Sequence, residues 1–394
     1  MDKPYAAHRP LSRARLHAHL SSFYFFYYAT VGAFMPYWAP YLRERGFTAV
    51  QMGTAFALMG ATRAVLPIVW GWWADATGKR IQLIRWASVC ALLTFMAIPF
   101  VDGIFWVGGL MLAYTLFWHA LLPQFEVVTL NHLQRSGGDY SRIRLWGSVG
   151  FIITVMGLGV VLDITGILWL PWLVGSFWLG MAVSTWLVPE AAEPVIAEGA
   201  RVPMAQVLKQ PQVLALLLAC FCSQLSFAPY YNFFTLYLEH HHYSRSFAGV
   251  LWSVGVVAEI GLFLVIGRAM GRYGLRNILL LALATTALRW LLIAAMVDSL
   301  AVLLLTQLLH ATSFGAYHAA AVMYVQRLFP GALQGRGQAV YNAVAYGLGG
   351  SIGSLAGGVL WDRLSPEAVY YAAALVALIG SLIVWRGLPR ALNA

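Results

Sequence analysis

Charge is scarce in this chain. Only 10% of its 394 residues are Asp, Glu, Lys or Arg, against about 25% in an ordinary soluble domain. A soluble globular protein and a disordered one are both excluded, since each depends on a charged, solvated surface. Cysteine is scarcer still. Cys90, Cys220 and Cys222 sit in apolar stretches without metal-ligand spacing, so no zinc site or disulfide framework is expected, and all three read as packing residues. H-E-x-x-H and the phosphate-binding P-loop are both missing. The chain is therefore not expected to be an enzyme or to carry a cofactor or metal. No stretch between apolar runs is long enough for a separate soluble or signalling domain.

Apolar residues fill the space that charge leaves. They make up 60% of the chain, with a mean hydropathy of +0.71. A membrane helix needs about 20 apolar residues, and the runs divide at charged or Gly/Pro breaks into 20–42, 51–73, 82–101, 104–132, 144–162, 166–188, 211–238, 248–270, 277–297, 301–328, 338–361 and 366–386. The expectation is an all-α membrane protein of 12 transmembrane helices. The first run is too long for a signal-peptide core and lacks a small-residue cleavage site.

The excess of 25 Lys+Arg over 15 Asp+Glu would suit a nucleic-acid binder, but its distribution points elsewhere. If the N-terminus is inside, only Arg43, Arg45, Arg245 and Arg363 fall in outer loops, and Arg63 and Arg289 lie within spans. The others are on the inner side, as the positive-inside rule requires. Both termini are therefore expected in the cytoplasm, with the bilayer rather than nucleic acid as partner.

The longest loop follows the sixth run and carries Glu190, Glu193, Pro194, Glu198 and Pro203. It divides the chain into a cytoplasmic N-terminus 1–19, a six-helix bundle 20–189, a cytoplasmic linker 190–209 and a second six-helix bundle 210–394 ending in the cytoplasm. The halves echo each other. Gly71, Asp75, Gly78 and Arg80 after the second span are matched by Gly267, Gly271, Gly274 and Arg276 after the eighth, at a constant offset of 196. A repeat at half the chain length is typical of duplicated transporter folds. The pattern Gly71-x-x-x-Asp75-x-x-Gly78-Lys79-Arg80 resembles the signature of the major facilitator superfamily, and the resemblance implies two pseudo-symmetric bundles rocking about a midplane site. Physically, Gly71 permits close helix approach, Gly78 a tight turn, and Asp75 a cap or an ion pair. Lys79 and Arg80 hold the turn at the inner face. The motif reads as gating rather than substrate-binding, and its second copy has lost the acid.

A charge at the bilayer centre costs about 3 kcal/mol on insertion scales, so intramembrane charges are candidate functional residues. They are Arg63, Glu126, Arg144, Glu259 and Arg289, joined by His119, His310 and His318. Glu126 with Arg144, and Glu259 with Arg289, are expected to pair across neighbouring spans. In the tenth span Gln307, His310, Ser313, Tyr317 and Tyr324 form one polar stripe at α-helical spacing, which puts His310 and Tyr317 at a cavity. His318 falls about 80° round from His310, and it and His119 read as histidines bonded to neighbouring helices. The arginines outnumber the carboxylates, which favours an anion, and Arg presents a fork that matches a carboxylate. The aromatic runs of the first and seventh spans supply apolar walls. His240-His241-His242 reads as a solvated outer loop.

Several segments closely resemble the 3-phenylpropionate transporter-like group of the superfamily, a group related to lactose permease and the nucleoside:proton symporters. They are Asp139-Tyr140-Ser141-Arg142-Ile143-Arg144-Leu145-Trp146-Gly147-Ser148, Leu251-Trp252-Ser253 through Glu259, Leu288-Arg289-Trp290, and Leu309-His310 with Tyr317-His318. The resemblance implies a proton-coupled symporter of a small aromatic carboxylate in the bacterial inner membrane. It implies substrate contacts at Glu126, Arg144 and Arg289, and proton coupling at Glu259 and His310; Arg63, from the intramembrane charges, and Tyr317, from the polar stripe, are the other expected substrate contacts. Two bundles need no partner to form a central cavity, so a monomer is the expectation. Ser313 stands where lactose permease has a proton-carrying Glu, and Gln224 and Phe227 stand where it has acids. Arg63 has a counterpart in the phenylpropionate group but not in lactose permease. The alternatives are symport of a neutral sugar or nucleoside, and export of hydrophobic compounds.

Overall fold

The structure is a computed structural model that describes residues 12–190 and 204–389, and every regular element among them is helical. Twelve rods follow one another among the described residues: α1 (Arg13–Glu44), α2 (Ala49–Thr77), α3 (Arg80–Met96), α4 (Ile104–Ser136), α5 (Tyr140–Thr165), α6 (Leu170–Leu187), α7 (Pro211–His240), α8 (Arg245–Phe263), α9 (Leu275–Met296), α10 (Leu300–Leu328), α11 (Gln334–Arg363) and α12 (Pro366–Gly387). Eleven are long and apolar enough to cross a membrane. The other is α1, whose tyrosines, tryptophan, prolines and histidines dilute its hydropathy. It is nonetheless buried along most of its length, from Leu16 to Leu42.

Local chemistry sets many of the boundaries. Thr48 and Gln51 form a capping box at the start of α2, each side chain satisfying the other's backbone N–H. Ser244 and Ser365 cap α8 and α12, and Pro366 and Pro211 occupy first-turn positions that need no N–H donor. Asp139 caps α5 by accepting from the Ser141 N–H at 2.9 Å, and that bond holds its carboxyl below the usual carboxylate range. The turn between α2 and α3 needs left-handed backbone at Gly78, with φ of 62°.

Some boundaries depart from expectation. α1 starts at Arg13 and so takes in part of the segment assigned to a terminal arm. The eighth span is broken after Phe263 and resumes at Ile266–Tyr273. Within the region assigned to the linker, Met204–Leu208 is a short helix, and 191–203 lies outside the described residues.

α1–α6 pack on one another, as do α7–α12, and the two sets meet along α2 with α11, α5 with α8, and α1 with α7. One apolar core runs through α1–α6 and continues into the parts of α7–α12 away from the basic end. The basic end is the one carrying Arg13, Lys79, Arg80 and Arg276. There a second core is confined to the second half, including the short helix Met204–Leu208 that precedes α7. The halves are thus joined at the opposite end and separate at the basic end.

The closed end is built twice by the same rule. Asp163, ending α5, accepts from the backbone N–H groups of Arg245 (3.0 Å) and Ser246 (2.9 Å), the start of α8. Asp362, ending α11, accepts from those of Ala49 (3.2 Å) and Val50 (2.8 Å), the start of α2. Each carboxylate satisfies first-turn donors and faces the positive end of a helix in the other half. Gly53 and Gly249 make this approach possible: a Cβ at Gly53 would lie 2.5 Å from the Ser354 carbonyl, and one at Gly249 would run into that of Val155.

Candidate functional site

Midway along the rods, at the level where the closed end gives way to the separated basic end, polar side chains from both halves converge. Arg63 is at the middle of α2. Its guanidinium carbon lies 4.7 Å from the centre of the Tyr346 ring on α11. It is exposed and has no hydrogen bond or ion pair among the described residues. Arg144 lies one turn inside α5, not at its start. It bonds the hydroxyl of Tyr28 and sits 4.2 Å from that ring's centre. Glu126 on α4 accepts from the Tyr140 hydroxyl at 3.2 Å. Arg144 and Glu126 act on each other electrostatically, but the direct ion pair expected of them is not made, because each is engaged by a tyrosine.

The second expected pair, Glu259 with Arg289, is also not made. Arg289 is fully buried at 0% exposure. Its Nε donates to the Thr306 carbonyl (2.7 Å), Nη1 to His310 Nδ1 (3.0 Å) and Nη2 to Gln307 Oε1 (3.1 Å), and its plane lies 4.2 Å from the Tyr230 ring centre. Arg289 therefore stands behind His310 and orients it. In this conformation it has no open edge to offer a solute, contrary to its expected place as a substrate contact. His310 Nε2 points towards Glu259, 3.8 Å away. The charge that acts on Glu259 is that of Arg144, in the other half.

Tyr317 is the other departure. It is fully buried, its hydroxyl donating to the Cys220 carbonyl on α7 at 3.4 Å, and it belongs to the core at the basic end. The cause is a π-helical stretch at Ala311–Ala316. A π turn holds roughly one more residue than an α turn, so the phase falls back by roughly 100°. Tyr317 rotates off the His310 face, and His318 rotates onto it. The rings of His310, Phe314 and His318 then stack, with centroids 5.3 Å and 6.0 Å apart and planes within 9° and 12° of parallel. His318 Nδ1 meets the Tyr346 hydroxyl at 3.2 Å, and both Arg63 and Arg144 act on it electrostatically. Tyr346 itself lies in a second π-helical stretch, Ala343–Gly349.

Helical spacing alone thus misses His318 and Tyr346 as cavity residues. One signal is readable: Arg63 and Glu259 differ by 196, the offset of the repeat, so equivalent positions in α2 and α8 carry opposite charges. His119 bonds Thr62 on α2 at 2.9 Å and stacks on Trp118, a tie within its own half.

In the turn motif, Arg80 is buried and bonds both Asp75 and Gln124 of α4. Asp75 does not cap α3; Glu190 does, accepting from the Ile81 N–H at 3.0 Å. Gly71 lies against Gln124, and Lys79 is exposed. In the second copy Arg276 donates to the Trp385 carbonyl at 2.5 Å, with no acid paired to it among the described residues. His241 bridges Asp298 (3.0 Å) and Glu367 (3.5 Å), tying three helix ends together rather than sitting in a solvated loop. A G-x-S-x-G string at Gly349–Gly353 lies within α11, where the strand-to-helix turn of a nucleophile elbow is missing.

Two helical bundles, closed at one end around a charged midplane, define a secondary transporter of the major facilitator type, a multi-pass membrane protein and not an enzyme. Residues 17–372 match the model of the MFS_1 like family, and the chain belongs to that family. It is 32% identical over 368 residues to a protein of Escherichia coli (strain K12) named "Probable 3-phenylpropionic acid transporter", covering 90% of this chain and 93% of that one. It is 28% identical to the maltose permease of Geobacillus stearothermophilus, covering 92% of each. Among solved structures, a point mutant of the nucleoside transporter NupG superposes with a TM-score of 0.84 at 15% identity, over 95% of this chain and 100% of that one.

Proposed function

We propose that the protein is a proton-coupled symporter of a small aromatic carboxylate such as 3-phenylpropionate, working as a monomer by alternating access. The observation that carries this reading is Arg63: an exposed arginine at the midplane with no anionic partner among the described residues. Near it, Glu126 and Glu259 already share the field of Arg144. A carboxylate beside Arg63 adds one negative charge to these two arginines and two carboxylates, and a proton taken up with it restores the balance.

The same geometry supports coupling. An anionic solute entering the cavity competes with Glu259 for the field of the arginines, so solute and proton bind together, the proton on Glu259. His310 is the donor that Arg289 aims at Glu259. With the basic end in the cytoplasm of a bacterial inner membrane, the conformation is inward-facing, and Asp75 with Lys79 and Arg80 serves the state in which the basic end closes. The likeness to the Escherichia coli protein named for 3-phenylpropionic acid supports the choice of solute. A neutral sugar is the second reading, favoured by the Tyr140–Glu126 and Tyr28–Arg144 bonds, which can be exchanged for hydroxyls, and by the likeness to a maltose permease.

The test is uptake of labelled 3-phenylpropionate into proteoliposomes, with an inward proton gradient imposed and then collapsed. Accumulation that vanishes with the gradient is expected. Accumulation of maltose or a nucleoside, with none of the acid, would replace this reading with the neutral-solute one.

A further inference from the structure

Tyr346, in the π-helical stretch of α11, meets side chains from two other helices: Arg63 of α2 lies over its ring at 4.7 Å, and His318 of α10, just past the π-helical stretch Ala311–Ala316, meets its hydroxyl at 3.2 Å. We propose that His318 and Tyr346 determine solute specificity, forming with Arg63 a two-point clamp for the carboxylate of the solute. This deepens the aryl-carboxylate reading and rests on it.

The argument starts from unused donors. Arg63 spends the face of its guanidinium on Tyr346 (4.7 Å) and none of its N–H groups on any acceptor among the described residues. A guanidinium parked on an aromatic face keeps its edge, with the N–H fork, free for an anion. His318 uses Nδ1 on the Tyr346 hydroxyl at 3.2 Å. With the phenol as donor, the neutral ring carries its proton on Nε2, a second N–H free for an acceptor. Tyr346 thus positions both cation and imidazole, one with its face and the other with its hydroxyl.

Stacking fixes the imidazole plane. His318 lies 12° from parallel to Phe314, and Tyr231 of α7 meets Phe314 edge-on, at 6.1 Å and 84°. The apolar body of an aryl acid therefore has Phe314 and Tyr231 beside the clamp. π turns are rare and concentrate at functional sites. Here they have a definite effect: without the one at Ala311–Ala316, Tyr317 and not His318 would face the cavity. The clamp also spans both halves, since Arg63 belongs to the first and the other two to the second.

Two variants separate specificity from structure. His318→Phe keeps the stack and loses the donor. Tyr346→Phe keeps the ring under Arg63 and loses the hydroxyl that orients His318. Uptake of 3-phenylpropionate and its inhibition by the neutral isostere 3-phenylpropionamide are measured side by side in proteoliposomes. The expected result is a rise in KM for the acid of about tenfold in His318→Phe, the scale of one hydrogen bond to a charged group, and a smaller rise in Tyr346→Phe. Inhibition by the amide, whose neutral carbonyl accepts a weaker hydrogen bond, falls by less than the KM for the acid rises, and His318→Gln, which restores an N–H, recovers much of the loss. An unchanged KM for the acid in the near-isosteric Tyr346→Phe and in His318→Phe, with wild type accumulating the acid normally, would overturn the clamp alone. A wild type that neither binds nor accumulates the acid would overturn the aryl-carboxylate reading and the clamp together.

Discussion

Arg289 donates from Nη1 to Nδ1 of His310 at 3.0 Å, and this bond decides where the imidazole proton sits. A guanidinium only donates, so Nδ1 is the acceptor and the neutral ring carries its hydrogen on Nε2, towards Glu259. A second proton on His310 would have to displace Arg289. Lysine cannot replace the fork that reaches the Thr306 carbonyl, Gln307 and His310 together. Arg289→Lys is expected to lower the uptake rate at least about tenfold, more than it lowers thermal stability. A rate within twofold of wild type, in a well-folded variant, would show that His310 needs no such orientation.

The paired aspartates at the closed end predict a shift in conformation. Asp163→Ala removes a carboxylate from the start of α8, an interaction worth about 1 kcal/mol, so the end-open population should rise roughly fivefold. Asp362→Ala should do the same at α2, and the double variant should combine the two. Gly249→Leu should go further, because its Cβ has no room beside the Val155 carbonyl. Distances between spin labels across the closed end read this directly. Distributions identical to wild type in all four proteins would remove the aspartates and the glycine from the gate.

The turn motif predicts an asymmetry in stability. The Asp75 side chain is 66% exposed and that of Arg80 only 7%. Asp75→Asn should therefore cost less than about 1 kcal/mol. Arg80→Ala leaves Gln124 of α4 without its donor in a buried place and should cost about 1–3 kcal/mol. Melting in detergent would show Arg80→Ala lower than Asp75→Asn. The reverse order would mean that the acid, not the buried arginine, secures the turn.

What can be read from sequence is what local chemistry determines. Thr48, Ser244 and Pro366 mark helix starts, Gly78 marks a turn, and the 196-residue echo marks the duplication. Glu259 and His310 stand out because a charge or imidazole inside an apolar run is costly in the bilayer and is kept for pairing or for function. Pairing is not readable. Whether Arg289 meets Glu259 or turns back onto Thr306, Gln307 and His310 depends on how α9 and α10 are rotated, which the residues of neither helix state alone. The π turns are hidden for a related reason: the same residues satisfy i→i+4 or i→i+5 bonds, and tertiary packing chooses. That choice exchanges Tyr317 for His318 at the cavity.

The central claim is that Glu259 carries the coupled proton, and Glu259→Gln tests it most directly. In proteoliposomes loaded with unlabelled 3-phenylpropionate, exchange for external labelled acid needs solute binding and alternation but no net proton movement. The variant is predicted to retain exchange and to lose accumulation driven by a proton gradient. Full gradient-driven accumulation in Glu259→Gln, at whatever affinity, would contradict the account and move the proton site elsewhere.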